Sequence, residues 1–392
     1  MSGWANGIAG MTIQSGATLI ASTTAGSYYL KSAGHIQNSG TIQAGTSASV
    51  RYPSNCRFKI YMNGNYQISN QSSHAGKIYM YCYKPANPYA VLLDSAATSK
   101  PISNITMGST TSVYCPAHGL SAGNIIYLYG MTGADELNWN RFRVSSVTDL
   151  DNFVLGWYDT ATQVDSSKVV PYVSGGYVVA SVAAAAGATT LYVDRDLTSC
   201  PEWTASGVRV LVCNNNRSAQ SELNTVASIT SSTVVLSTPL AAEKVGCSVI
   251  VLIDRNVTIE GSTSSSNGLI RYGDGCVFDC AIRAGKSGQY GIYQSINFTM
   301  GGVVSGASYS LGAATGSSCE GTVVSASAGF FNGNHNVFTG NCFASSQLFS
   351  ETVTEFSGLA VGCGYSVISS YGCRITKDAR VIGSKIGRAS CR

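Results

Sequence analysis

The sequence predicts an all-β chain: an N-terminal β domain, one or two small β-barrel or sandwich modules, and a C-terminal right-handed parallel β-helix. Three observations carry this expectation. Only 11% of the 392 residues are charged, against about 25% in an average globular chain, so few segments have the Leu/Glu/Lys/Arg mixture of a surface helix. With 44% of residues hydrophobic, and with β-branched and aromatic residues common, the chain has what strands need and is not a disordered polymer. From Cys276 onward, apolar residues return at intervals near 22, the length of one coil of a three-strand solenoid.

Residues 1–105 read as short strands parted by Gly, Ser and Asn, an N-terminal β domain suited to attachment. Thr12-Ile13-Gln14-Ser15-Gly16 and Thr41-Ile42-Gln43-Ala44-Gly45 are near-copies that suggest two similar strand-turn units. Phe58-Lys59-Ile60-Tyr61-Met62 and Lys77-Ile78-Tyr79-Met80-Tyr81-Cys82-Tyr83 alternate with the period of half-buried strands. Residues 106–180 form a block of about five short strands with Gly and Asn turns. It runs from His118-Gly119-Leu120 through Ile125-Ile126-Tyr127-Leu128-Tyr129-Gly130 and Asn152-Phe153-Val154-Leu155 to Ser174-Gly175-Gly176. His118 reads as a turn former, since no nucleophile or acid stands at a useful spacing from it.

Residues 181–261 form a glycine-rich module whose last strand is Val249-Ile250-Val251-Leu252-Ile253 followed by Arg255-Asn256-Val257-Thr258-Ile259-Glu260-Gly261. Residues 262–392 are the expected β-helix. Ile292, Ala314, Val337, Leu359 and Val381 make one line at steps of 22 or 23. Val277, Thr299, Gly321, Phe343 and Ser366 make a second, and Cys319, Asn341 and Cys363 a third. Five coils at about 4.8 Å each give a column of roughly 25 Å. The last coil needs a cover, because an open edge pairs with other chains.

Low charge density on a folded chain implies that much of its surface meets other protein. The formal charge is +4, concentrated at the end. Arg374, Lys377, Arg380, Lys385, Arg388 and Arg392 oppose only Asp378, which reads as a solvated terminus or a contact for an acidic partner. With no basic stripe interleaved with aromatics, nucleic acid is not an expected partner. No basic-then-apolar leader and no run of about 20 apolar residues is seen, so membrane insertion is not expected either. The 13 cysteines are scattered. Cys276 and Cys280 are the closest, a weak zinc signal, and the thiols read mainly as small buried hydrophobes.

The 106–180 block resembles a small β module embedded in many phage tail and baseplate-associated proteins. The close of 181–261 resembles the glycine-rich exit that leads into parallel β-helices of surface and fibre proteins. The resemblance implies a structural virion protein of a bacteriophage, located in the particle: a tail fibre, tailspike-like or collar/neck fibre component acting in assembly and host attachment. It also implies a homotrimer whose partners are other virion proteins of the tail, neck or capsid, with a host-surface glycan as a further partner. A polysaccharide depolymerase tailspike and a capsid decoration protein are the alternatives.

A depolymerase needs paired carboxylates flanking the scissile bond. The acids available are Asp274 with Asp279, Glu320, and Glu351 with Glu355; the aromatics able to stack on sugars are Tyr290, Tyr293, Tyr309, Phe330 and Phe331. None of the acids falls one coil from another in the proposed register. No dinucleotide, P-loop, zinc-protease or nucleophile-elbow motif is present. The reading is therefore a non-enzyme without cofactor, metal or catalytic residues.

Overall fold

Period-2 alternation decides the strands. In Cys56–Met62, Cys56, Phe58, Ile60 and Met62 are buried while Arg57, Lys59 and Tyr61 point outward. Ile78 and Met80 do the same in Lys77–Met80. The computed structural model describes residues 8–70, 75–83, 89–92, 99–138, 140–158, 160, 162–180, 182–204, 207–214, 220–246, 248–262, 268–343, 347–350, 353–363, 365–368, 374–375 and 380–382. Among these the regular structure is almost wholly strand, the helix being the four residues Pro201–Thr204.

The strands wind into a parallel β-helix of nine coils, each with three strands, so that three parallel ladders run along the column. The first ladder begins at Met11–Ile13 and continues through Ile36–Asn38 and Ile68–Ser69 to Ile270–Arg271. The second begins at Thr18–Ile20 and passes Thr41–Ala44 and Lys77–Met80 to Val277–Phe278. The third begins at Gly26–Ser32 and passes Cys56–Met62 to Val257–Gly261. Above these, the long strands Ala281–Tyr293, Val303–Gly312 and Thr322–Phe331 each serve the third ladder with their beginnings and the first with their ends. Nine coils at about 4.8 Å make a column of roughly 40 Å.

The core is three stacks of inward side chains. On the first ladder they are Ile36, Ile68, Ile270, Ile292, Leu311 and Phe330. On the second they are Ala44, Met80, Phe278, Met300, Cys319, Phe338 and Phe356. On the third, Ile60, Ile259, Ile282, Val304, Val323, Cys342 and Ala360 line up. These residues are all essentially inaccessible. Fully burying side chains of this size contributes about 1.5–3 kcal/mol each. Several polar groups that enter find partners: Asn38 Nδ2 donates to Asn70 Oδ1 (2.8 Å), and Ser317 N donates to Asn336 Oδ1 (3.0 Å).

Four expectations are corrected. The column starts at the beginning of the described chain, so residues 8–82 are its first coils and no separate N-terminal domain exists there; their strands share one core with those after residue 257. The boundary expected at 262 likewise falls inside the helix, because Val257–Gly261 is already the third strand of coil three. The near-copies at residues 12 and 41 lie on different ladders, Ile13 opposite Asn38 and Ile42 opposite Leu19. Above coil five the repeat is shorter than 22: Ile292, Leu311 and Phe330 stack at steps of 19, while the step of 22 holds from coil four to coil five on all three ladders, Ile270 to Ile292, Val277 to Thr299 and Ile282 to Val304. The line through Ile292, Ala314, Val337 and Leu359 therefore slips from the first ladder to the second and then the third. Cys319 stacks on Met300 and Phe338 instead of on Asn341.

Glycines set the true period. Gly302, Gly321, Gly340 and Gly358 follow the second ladder at steps of 19, 19 and 18. A Cβ on any of the last three would fall against the carbonyl oxygen of the glycine one coil below. The chain turns so tightly there that Cys319 O accepts both Thr339 N (3.0 Å) and Gly340 N (3.1 Å).

Residues 83–254 leave the column between the second and third strands of coil three and form two larger antiparallel sheets, one nested in the other along the chain, and a two-stranded ribbon of Val182–Ala184 with Lys244–Val245. Tyr89–Val91 enters a six-stranded sheet with Val249–Leu252, Arg209–Cys213, Glu222–Ile229, Thr233–Leu236 and Thr190–Tyr192. The chain then builds a seven-stranded sheet from Lys100–Pro101 to Tyr172–Ala180, with its own core around Phe142, Phe153 and Leu155, before completing the six-stranded one. The six-stranded sheet packs its core on Trp203, Val210, Val212 and Leu252.

Both sheets lie back on the outer face of the third ladder. Ala281, Val303, Phe343 and Val361, outward residues of coils four, five, seven and eight, are buried against Tyr127, Val179, Leu211, Cys213, Val249 and Val251. The contact has a charged rim. Glu260 meets Lys59 Nζ (2.9 Å) and Arg283 Nη1 (3.2 Å), and Arg209 pairs with Asp254 (2.9 Å). The apolar part dominates, because exposed ion pairs contribute about 0–1 kcal/mol. Arg209→Ala is thus expected to shift the urea midpoint by an equivalent of less than about 1 kcal/mol, and the shift should shrink further in high salt. A loss of several kcal/mol would show that the rim, and not the apolar face, seats the insertion.

Candidate functional site

On the outside of the column, a group of aromatic rings is gathered by cross-coil stacking. Tyr290 and Tyr309 face one another across adjacent coils in ladder register, with ring centroids 5.4 Å apart at 27°. Tyr293 stacks on Tyr290 at 4.3 Å and 20°. Gly312 pairs with Tyr293, and any Cβ there would strike the Tyr290 ring, so this glycine is what lets the ring lie flat on the strand. Below them Arg271 sits over the Tyr272 ring (4.5 Å) and donates through Nε to Gln294 Oε1 (2.8 Å). All three stacked tyrosines are half-buried. Burial, then the neighbouring Tyr293 and Tyr309, raises the Tyr290 hydroxyl above its ordinary value, so this hydroxyl is uncharged at neutral pH. Flat apolar rings edged by a guanidinium and an amide suit a ligand with apolar faces and hydroxyl rims.

Of the other aromatics singled out from the sequence, Phe330 is in the core stack and unavailable to a ligand. The side chain of Phe331 lies outside the described residues. Among the described residues, the acids do not assemble. Asp279 is buried in an ion pair with Arg51. Asp274 Oδ1 accepts Ile296 N (2.9 Å), closing a turn. Glu320 is exposed in the turn before Gly321, and Glu355 sits in ladder register with Val337 and Arg374. Glu351 lies outside the described residues, as do the side chains of the basic C-terminal segment.

His118 is a turn residue: it is buried, its Nδ1 accepts Leu120 N (2.9 Å) and its ring meets Phe153 edge-on (5.1 Å). The ten described cysteines are buried and unbridged. Cys276 Sγ accepts Ile78 N (3.2 Å), and burial above all pushes its thiol up to about 11. Among the described residues, no group of three or more His, Cys, Asp or Glu side chains could hold a metal ion. Likewise none of the described helices is long and apolar enough to cross a membrane.

A second feature was not legible in the sequence. Where the chain leaves and rejoins the column, a cleft is lined by Ser54, Arg57, Tyr83, Pro201, Glu202, Val208, Asp254, Arg255 and Asn256. Arg255 is buried, donating Nη1 to Asp254 O (2.9 Å), and burial lowers its guanidinium to about 10. Both carboxylate oxygens of Glu202 are buried without a hydrogen-bond partner, and burial raises this carboxyl above its ordinary value. These residues come together only through folding, since residues 54, 83, 202 and 255 have no local spacing to betray them.

No family model matches the sequence, and no curated protein matches it. Among solved structures, similarity is found to the tailspike of Pseudomonas phage phi297, at 12% identity and a TM-score of 0.21, over 91% of this chain and 50% of that one. Another is the tailspike of Acinetobacter baumannii bacteriophage AP22, solved with a capsular saccharide, at 9% identity and 0.20, over 90% and 48%. A third is the tailspike of Pseudomonas phage LKA1, at 10% and 0.19, over 86% and 52%. The chain spans about half the length of each. At TM-scores this low, these likenesses carry no inference about this chain.

Proposed function

We propose that this chain is a structural virion protein of a bacteriophage, a tail-fibre or tailspike-like component that works as a homotrimer, joins other virion proteins and contacts a host-surface glycan. The observation that supports the reading best is the nine-coil column with an aromatic platform on its outer wall. Such a column is a stiff rod in which every inner strand pairs on both sides, which suits transmission of load. The two small sheets packed along it act as spacers, and the resemblance of residues 106–180 to a phage module points the same way. The role is adhesive, with no catalytic residue assigned; Asp274 and Asp279 are held in a turn and an ion pair.

Light scattering on the purified chain, with and without reductant, is expected to give a trimer; a monomer over a wide concentration range would sink the trimeric fibre. Binding is read on an array of bacterial surface polysaccharides. Tyr293→Ala is expected to weaken the bound glycan about tenfold, in line with about 1–1.5 kcal/mol for one aromatic contact. An unchanged affinity would remove the platform from the binding role. Release of shorter saccharides during the assay would favour the depolymerase alternative.

A further inference from the structure

Ten buried thiols need no chemistry, but two of them are placed for it. Met80 and Phe278 are partners on the second ladder, Asp279 N continues the pairing to Met80 O (3.0 Å), and the same register sets Cys82 and Cys280, both buried in the column core, one coil apart. In-register neighbours on adjacent coils lie about 4.8 Å apart, inside the Cα separation of about 4.4–6.8 Å that a disulfide spans. Cys82 is also the point of departure of the insertion: the next residue, Tyr83, lines the junction cleft together with Arg255. The Arg255 charge acts on both thiols, and Arg51 Nη1 holds Cys82 O (2.8 Å). A guanidinium beside a thiol favours the thiolate, which is the reactive form, while burial opposes it. The cleft opens beside this pair, at Tyr83 and Arg255.

We propose that Cys82 and Cys280 are a peroxide-responsive pair that closes to a disulfide, stapling coil three to coil four at the base of the insertion. One thiolate attacks a peroxide oxygen; the O–O bond breaks and the departing oxygen takes up a proton and leaves as water. The sulfenic acid so formed is attacked by the second thiolate, the S–O bond breaks, the S–S bond forms and a second water leaves. Two thiols thus give up two electrons and two protons, and hydrogen peroxide is reduced to two waters. The bond closes a loop that holds both antiparallel sheets, so it would tie the whole insertion to the column by a covalent link.

The test treats the native full-length chain with hydrogen peroxide, blocks the remaining thiols under denaturing conditions and maps peptides by mass spectrometry without reduction. The expected result is a linked pair containing Cys82 and Cys280, two fewer free thiols, and a rise in melting temperature that reductant reverses. Cys342 and Cys363, with sulfurs 3.8 Å apart in coils seven and eight, serve as the internal comparison and should link more slowly. Cys280→Ser should abolish the link and leave a sulfenic acid on Cys82 that dimedone traps. Recovery of Cys82 and Cys280 unmodified while Cys342 and Cys363 become linked would overturn the proposal. So would Cys82 joined to any other cysteine. If Cys280→Ser fails to fold, the wild-type peptide map decides alone.

Discussion

Gly340→Ala is expected to destabilise the column by about 4 kcal/mol. The ideal Cβ at residue 340 falls on the Gly321 carbonyl oxygen, and the next atoms in its way are the Glu320 carbonyl carbon (2.7 Å) and oxygen (2.8 Å). All are backbone, so no side chain can swing aside. Relief requires the two coils to part, and parting strains the bonds Gly340 N to Cys319 O (3.1 Å) and Asn341 N to Gly321 O (2.8 Å). Overpacking of this kind costs about 1–3 kcal/mol and each lost bond about 1 kcal/mol. Gly16→Ala is the control. Gly16 has φ +80° but open space around its Cβ, so only left-handed strain of about 1–2 kcal/mol should appear. The measurement is a urea midpoint for each variant, with limited proteolysis to show whether coils seven onward loosen first. Equal effects at the two positions would mean that coil spacing does not depend on the glycine ladder.

That ladder also explains how much was readable in advance. The valine and phenylalanine runs of residues 277–361 announce stacked strands, and they are stacked strands. Their register was not readable from apolar residues alone. Each coil carries an inward residue on three ladders, so a step of 22 finds an apolar residue as easily as a step of 19. The discriminating signal was an inward residue, one spacer and then glycine: Met300-Gly301-Gly302, Cys319-Glu320-Gly321, Phe338-Thr339-Gly340, Phe356-Ser357-Gly358. Glycine is required there by the approach of backbone to backbone, whereas a valine is merely favoured inside. The first coils were hidden for another reason. Coil three is interrupted by residues 83–254, so Ile60 and Ile259, neighbours in space, share no visible period. The aromatic platform was half legible. Tyr290, Tyr293 and Tyr309 stood out, but Gly312 and Arg271 belong to it through contacts between coils, which composition does not reveal.

The insertion supplies the other large effect. Glu222→Ala is expected to cost about 3–5 kcal/mol, the range found when one partner of a buried ion pair is removed. Lys244 is wholly buried, and its ammonium is held by the Glu222 carboxylate, Gln220 O (2.7 Å) and Ala242 O (3.0 Å). Without Glu222, a full positive charge would remain inside with two neutral acceptors. The reverse change should be milder. The Glu222 side chain is about one-fifth exposed and also accepts Ala241 N (2.9 Å), so in Lys244→Met its carboxylate can turn to water while the methionine fills the lysine's space.

The same pair sets an acid response. Burial alone would raise the Glu222 carboxyl, but the Ala241 amide and Lys244 outweigh it and hold the group below its ordinary value. A carboxyl depressed in the folded state contributes its stability above the unfolded value, about 4.3, and loses it as pH falls through the lower folded value. Melting curves recorded from pH 7 downward should therefore show an acid-side loss that Glu222→Ala flattens and that Lys244→Met weakens. If both variants cost the same at pH 7 and leave the acid slope of the wild type intact, then the asymmetry argued from the burial of Lys244 does not exist.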